Sequence, residues 1–111
     1  MKYRTLRSLG AAAVTSFIIS PCASLAQTAG AAQVAAGERV YSDYCSNCHG
    51  EALRNTSGGV TFDLRRLRSE DHERFVGVVL DGKRQMPPWR GALDMEQIES
   101  IWAYIRATVD Q

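Results

Sequence analysis

Two cysteines and a histidine are closely spaced near the middle of this 111-residue chain. Cys45, Cys48 and His49 form the pattern C-x-x-C-H within the stretch CSNCH. Residues three and four positions apart lie on one face of a helical turn, so both thiols and the imidazole share that face. This pattern is the attachment site of a c-type haem, in which the sulfurs form thioether bonds and the histidine ligates the iron. The sequence therefore predicts one covalently bound haem c.

Two other chemistries also use paired cysteines, and both remain as alternatives. A thioredoxin-like redox pair expects a strand before the motif, whereas residues 33–44 have a helical pattern. A zinc site needs two more ligands than the pair of cysteines supplies. His72 and one carboxylate are the candidates that remain for that role.

A six-coordinate haem needs a ligand opposite His49, and the chain offers Met86, Met95 and His72. Two prolines follow Met86, hold the backbone extended and remove two amide donors, so the thioether is presented from a stiff loop. Met95 stands at the first position of a predicted helix, and His72 lies in the first turn of an acidic one. We predict Met86 as the second ligand. Met95, His72 and an open coordination position are the alternatives.

Residues 1–26 have the features of a secretory signal. Three basic residues precede an apolar run at 9–19 that is too short to cross a bilayer permanently. Small residues at Ser24 and Ala26 predict cleavage after Ala26. Acylation of Cys22, as in a lipoprotein, is the alternative. We expect a soluble periplasmic protein with no stable membrane insertion.

The expected mature chain consists of a flexible amino terminus at 27–32 and a single domain at 33–111. Cleavage leaves 10 basic residues against 12 acidic ones, a net charge of about −2 that does not suggest nucleic-acid binding. A domain this short has a thin core, and a covalently held haem can act as its staple. We therefore predict that the chain without haem is largely unfolded.

The spacing of apolar residues predicts an all-α domain of three to four helices around the cofactor. The pattern indicates a first helix at 33–44, a second at 69–81 and a last helix with Asp94 and Gln97 as its capping box. Gly37 weakens the first helix, so we expect a close helix crossing there, with a merely tolerated glycine as the alternative. No strand pattern is present, which defines the fold class.

The segments between the helices contain the remaining candidates. Residues 54–61 are rich in glycine and polar residues and predict a loop, with Phe62 and Leu64 as anchors that return it to the core. For Trp89, three roles are open: it packs on the haem edge, it donates its indole N–H to a propionate, or it anchors the Met86 loop. Basic residues flank both loops and form a solvated face, from which one or two could pair with propionates or an acidic partner. They are Arg65, Arg66, Arg68, Lys83, Arg84 and Arg90.

From about residue 36 to 105 the chain resembles a class I cytochrome c. The matching features are Gly37 and Tyr41, CSNCH at 45–49, MPPW at 86–89 and IWAYI at 101–105. The resemblance implies that the first and last helices cross at Gly37 and that His49 and Met86 are the axial ligands. No proline lies between those two residues, so the carbonyl that orients the histidine in that family is not identified by the sequence.

The segments GGVTFDLR, DGKRQMPPW and IWAYI are also similar to small cytochromes that accept electrons from periplasmic quinoprotein alcohol dehydrogenases. With both axial positions filled, we expect a one-electron carrier and not an enzyme. Its expected partners are redox proteins, such as a dehydrogenase and a terminal oxidase or another cytochrome, and we expect a monomer. A haem subunit of a dehydrogenase or oxidase complex and a ligand-binding haem protein are the alternatives.

Overall fold

The computed structural model describes residues 22–111. Four α-helices follow one another along this part of the chain: α1 at Cys22–Tyr44, α2 at Ser46–His49, α3 at His72–Asp81 and α4 at Met95–Val109. Short 3₁₀ turns lie at Glu51–Leu53, Leu64–Arg66 and Ser69–Asp71. The described residues contain no strand, only two isolated bridges, so the predicted all-α fold with three to four helices is confirmed.

The helix α1 begins well before the predicted start at residue 33. It includes residues 27–32, whose flexibility in the mature chain stays a prediction, and the expected cleavage point after Ala26. Most of the predicted signal peptide, residues 1–21, lies outside the described residues. Within residues 22–111, no helix is both long and apolar enough to cross a membrane.

The helices α1 and α4 cross in close contact at Gly37. A Cβ atom at this position would lie 1.7 Å from the carbonyl oxygen of Ser100 and 3.0 Å from the amide nitrogen of Ile101. Both atoms belong to the backbone of α4, so a side chain has no room there. The predicted helix crossing is confirmed, and it explains why a helix tolerates glycine at this point.

The core lies between α4, the end of α1 and the inner face of α3. On α4, Ile98, Ile101 and Ile105 are buried and Trp102 is half-buried. The ring of Tyr104 lies 5.4 Å from that of Tyr41, between ring centroids. The buried hydrophobic residues of the described chain are Tyr41, Leu53, Leu67, Phe75, Val79, Leu93, Ile98, Ile101, Tyr104 and Ile105.

Both predicted helix boundaries that flank the 82–94 segment are present. The side chain of Asp94 accepts from the Gln97 amide at 2.8 Å and the Gln97 side chain accepts from the Asp94 amide at 3.0 Å, which is the predicted capping box. The helix α3 ends at Asp81, and Gly82 is its C-cap. Its last carbonyls receive further donors, because the amides of Trp89 and Arg90 bond to Val79 and Leu80 at 2.9 and 3.2 Å.

Candidate haem site

The C-x-x-C-H residues lie on one helical turn, as predicted. Cys45 has helical backbone angles at the start of α2, and the amide of His49 donates to its carbonyl at 2.9 Å. Cys45 is half-buried and Cys48 is exposed, and both are free thiols. The turn therefore presents one sulfur close to the core, one at the surface and an imidazole beside them.

A main-chain carbonyl orients the imidazole of His49. Its Nδ1 lies 3.1 Å from the carbonyl oxygen of Phe62. Because a carbonyl can only accept, this bond places the proton on Nδ1 and leaves the Nε2 lone pair for a metal. This is the orienting carbonyl that the sequence did not identify. The Phe62 side chain is 46% exposed, so the prediction that it anchors the loop in the core is wrong, whereas Leu64 does pack against the core.

The same loop is attached to the motif by a second contact, one residue earlier. The hydroxyl of Thr61 donates to the carbonyl of Cys48 at 2.9 Å. Asn55 closes the loop internally, since its amide donates to the Thr61 carbonyl at 2.7 Å and its side-chain oxygen accepts from the amide and the hydroxyl of Ser57. The loop thus contacts the motif turn at two consecutive motif residues, Cys48 and His49.

A buried tyrosine holds the other side of the motif turn. Tyr41 is 1% exposed, and its hydroxyl donates to the carbonyl of Gly50 at 2.6 Å. Burial raises the pKa of this phenol well above its ordinary value, and the neighbouring Cys45 and Tyr104 raise it further. The phenol is therefore neutral over the whole physiological range and remains a hydrogen-bond donor.

The predicted thioether ligand lies in a tightly closed turn. The amide of Lys83 donates to the carbonyl of Met86 at 3.1 Å, and the amide of Met86 donates to the carbonyl of Lys83 at 3.0 Å. Gly82 begins the turn with φ +73°, and a Cβ there would lie 2.6 Å from the Met86 carbonyl oxygen. The Met86 side chain is half-buried against the core. The two hydrogen bonds between Lys83 and Met86 therefore fix the backbone of Met86.

The alternative axial ligands have different surroundings. Met95 is 47% exposed at the start of α4. His72 contacts both carboxylate oxygens of Glu99 through Nε2, at 2.9 and 3.1 Å, and its ring meets Trp102 edge-on with centroids 5.3 Å apart. It thus bridges α3 and α4.

Trp89 contacts α1 through its ring. The indole meets Tyr44 in an edge-on arrangement, with ring centroids 5.6 Å apart. Its backbone amide bonds to the end of α3, as described above. These contacts support, among the three alternatives, a role of Trp89 as an anchor of the Met86 loop.

The thiol and zinc alternatives both require a thiolate. Burial raises the pKa of the Cys45 thiol to about 11, with a further contribution from Cys48, so the thiolate is disfavoured at this position. Within residues 22–111, no group of three or more His, Cys, Asp or Glu side chains is placed to hold a metal ion. Two thiols, a correctly oriented imidazole and a thioether are, in contrast, the donor set that haem c requires.

Comparisons with known proteins agree with this fold and donor set. Residues 32–105 match the family described as cytochrome C oxidase, cbb3-type, subunit III, and the chain belongs to this family of class I cytochromes c. It therefore carries covalently bound haem c and takes part in electron transfer.

Among individual proteins, the chain is similar to quinohemoprotein alcohol dehydrogenase ADH-IIG of Pseudomonas putida, with 40% identity over 67% of this chain. The solved structure of ADHIIG superposes on 72% of this chain with a TM-score of 0.62. These matches span only 10% and 12% of the dehydrogenase. Cytochrome c6 of Nostoc sp. is 30% identical over 67% of this chain and 69% of its own length. The similarity therefore extends to a small cytochrome as well as to one part of a large enzyme.

Proposed function

We propose that this protein is a periplasmic monohaem electron carrier. Its single haem is attached through Cys45 and Cys48, with His49 and Met86 as axial ligands. The observation that carries the proposal is the bond from His49 Nδ1 to the Phe62 carbonyl, because it directs the other ring nitrogen to a metal beside two free thiols. When bound, haem c supplies a reversible one-electron couple at its iron.

The residues around the iron tune and protect this couple. The Phe62 carbonyl fixes the tautomer and the ring orientation of His49. With haem bound, the Met86 thioether would favour the reduced iron and raise the potential relative to a second histidine. With both axial positions filled from the chain, oxygen and peroxide have no open position, which supports a carrier and not an enzyme.

The axial ligand is tested by the visible spectrum and potential of Met86→Ala, with Met95→Ala as the matched control. We expect Met86→Ala to lose the weak far-red band of methionine-ligated ferric haem, to lower the midpoint potential and to bind carbon monoxide rapidly when reduced, while the haem stays attached. Met95→Ala should resemble the wild type. An unchanged spectrum and potential in Met86→Ala would refute the ligand assignment.

We infer that the electron donor is a periplasmic quinoprotein alcohol dehydrogenase. The 40% identity to part of a quinohemoprotein alcohol dehydrogenase supports this donor, and the similarity to cytochrome c6 over most of its length supports a separate carrier. Reduction by such a dehydrogenase should slow steeply as ionic strength rises, since transient docking depends on charge. Salt-insensitive co-purification would instead indicate a subunit of a complex.

A further inference from the structure

The Phe62 carbonyl that orients His49 lies in a segment without regular structure. Residues 54–63 lie between two 3₁₀ turns and belong to no helix or bridge. At the tip of this loop, Gly58 and Gly59 have positive φ angles of +65° and +97°, and a Cβ atom at either position would meet nothing within 4 Å. Because glycine is conformationally permissive and the tip packs on nothing, the backbone of the loop does not by itself fix the carbonyl.

The side chain of Phe62 does not hold this carbonyl either. It is 46% exposed, and Val60, two residues earlier, is 76% exposed. On the downstream side the chain is fixed, because Asp63 caps the 3₁₀ turn that follows and Leu64 packs against the core. A peptide group is planar, so its carbonyl keeps one direction only when the chain is held on both sides. The direction of the Phe62 carbonyl therefore depends on how the preceding residue, Thr61, is held.

All three polar groups of Thr61 are hydrogen-bonded. Its amide donates to the hydroxyl oxygen of Ser57 at 3.0 Å, and its carbonyl accepts from the side-chain amide of Asn55 at 2.7 Å. Its hydroxyl donates to the carbonyl of Cys48 at 2.9 Å. Thr61 is therefore held through its backbone as well as through its side chain.

Asn55 connects the backbone contacts of Thr61. Its side-chain oxygen accepts from the amide and the hydroxyl of Ser57 at 2.9 and 2.7 Å, which leaves the Ser57 oxygen free to accept from the Thr61 amide. Asn55, Ser57 and Thr61 are half-buried, whereas Thr56 and residues 58–60 are exposed. The three inward-facing polar side chains thus form one network, and Asn55 contacts both of the other residues.

We propose that Asn55 is a positioning residue for the axial ligand His49, an assignment that rests on the proposed function. By holding Thr61, Asn55 keeps the Phe62 carbonyl within hydrogen-bond distance of His49 Nδ1. An acceptor that is already ordered gives a stronger bond, because the loop loses no conformational freedom when the bond forms. A stronger bond to the Nδ1 proton makes the ring a more basic ligand, and a more basic ligand stabilises the oxidised iron. Asn55 therefore lowers the midpoint potential.

The test compares Asn55→Ala with Thr56→Ala in the haem-loaded protein. Thr56 is the matched control, because it is the next residue, is exposed and makes no side-chain hydrogen bond within residues 22–111. NMR of the reduced protein follows solvent exchange of the His49 Nδ1 proton, and potentiometry gives the midpoint potential. We expect Asn55→Ala to raise the potential and to speed this exchange by roughly a factor of five, which corresponds to the loss of one ordinary hydrogen bond. Thr56→Ala should change neither quantity.

A second variant, Asn55→Asp, decides the matter if Asn55→Ala does not retain its haem. It keeps the size of the side chain and the acceptor for Ser57 but removes the amino group that donates to the Thr61 carbonyl. The Nδ1 proton should again exchange faster than in the wild type.

Several outcomes would overturn the assignment. The first is unchanged proton exchange in an Asn55 variant that retains its haem, whatever its stability, since Asn55 would then be merely structural. An unchanged or lowered potential in Asn55→Ala, or an equal effect in Thr56→Ala, would overturn it too. So would loss of the haem from both Asn55 variants, which would assign Asn55 to folding. A wild-type protein with no c-type haem spectrum would refute the proposed function itself, so the two failures are distinguishable.

Discussion

The orientation of His49 depends on the carbonyl of Phe62, thirteen residues later in the chain. The neighbouring Thr61 attaches the same loop to the motif. Thr61→Val keeps the shape of the side chain but removes its hydroxyl, which bonds to Cys48 and to Ser57. We expect a loss of about 1 kcal/mol in the free energy of unfolding, because the hydroxyl's exposed contact with Cys48 and its half-buried contact with Ser57 are lost. Urea unfolding of the haem-loaded protein measures this loss. The exposed Thr56→Val should be neutral, and equal stabilities in the two variants would contradict the role of Thr61.

The raised pKa of Tyr41 predicts that the free energy of unfolding decreases at alkaline pH. Its folded-state pKa is raised by burial, so its contribution to stability is complete below the unfolded value of about 10 and is lost as pH rises above it. Unfolding followed between pH 9 and 11.5 should show a decline in stability that is shallower in Tyr41→Phe. Burial also raises the pKa of Tyr104, so Tyr104 contributes to the slope that remains in Tyr41→Phe. Identical slopes in the two proteins would exclude Tyr41 as the source.

Among the helices, the crossing of α1 and α4 is the contact most sensitive to a single methyl group. Gly37→Ala would place a Cβ atom 1.7 Å from a backbone oxygen of α4, so the two helices must separate. We expect a loss of roughly 3 kcal/mol or more, at the upper end of overpacking effects. The matched control is Gly77→Ala in α3, where a Cβ meets nothing within 4 Å and helix propensity gains up to about 1 kcal/mol. Thermal melts of both variants give the comparison, and a neutral Gly37→Ala would contradict the packing.

Helix boundaries and helix crossings could be predicted from the sequence where particular side chains determine them. The capping box of Asp94 and Gln97 and the glycine crossing at Gly37 are visible in the residue types alone. The role of the Phe62 carbonyl could not be predicted. Every residue has a main-chain carbonyl, and the side-chain type does not mark the carbonyl that accepts a hydrogen bond from His49. The hydrogen bond from Tyr41 to Gly50 was missed for a related reason, since periodicity identifies a buried face but not the direction of a hydroxyl.

At the scale of the whole molecule, stability is expected to depend on the cofactor. Two long segments, 50–71 and 82–94, separate α2, α3 and α4, and in a domain this small the buried core is thin. We predict that the double variant Cys45→Ala, Cys48→Ala, which cannot attach haem, shows no cooperative thermal transition by circular dichroism. A cooperative melt of this variant would show that the polypeptide core is sufficient.

The amides of Trp89 and Arg90, which cap the end of α3, also determine how Met86 can move. The Met86 turn lies between α3 and these two amides, so the chain cannot swing outward without breaking their bonds to Val79 and Leu80. We therefore expect that outward movement of the turn that carries the proposed Met86 ligand also opens the helix end. Native-state hydrogen exchange at Trp89 and Arg90 would then measure the free energy of that opening. If Met86 binds the iron as proposed, these amides should exchange faster in the oxidised protein, because a thioether ligand favours the reduced iron.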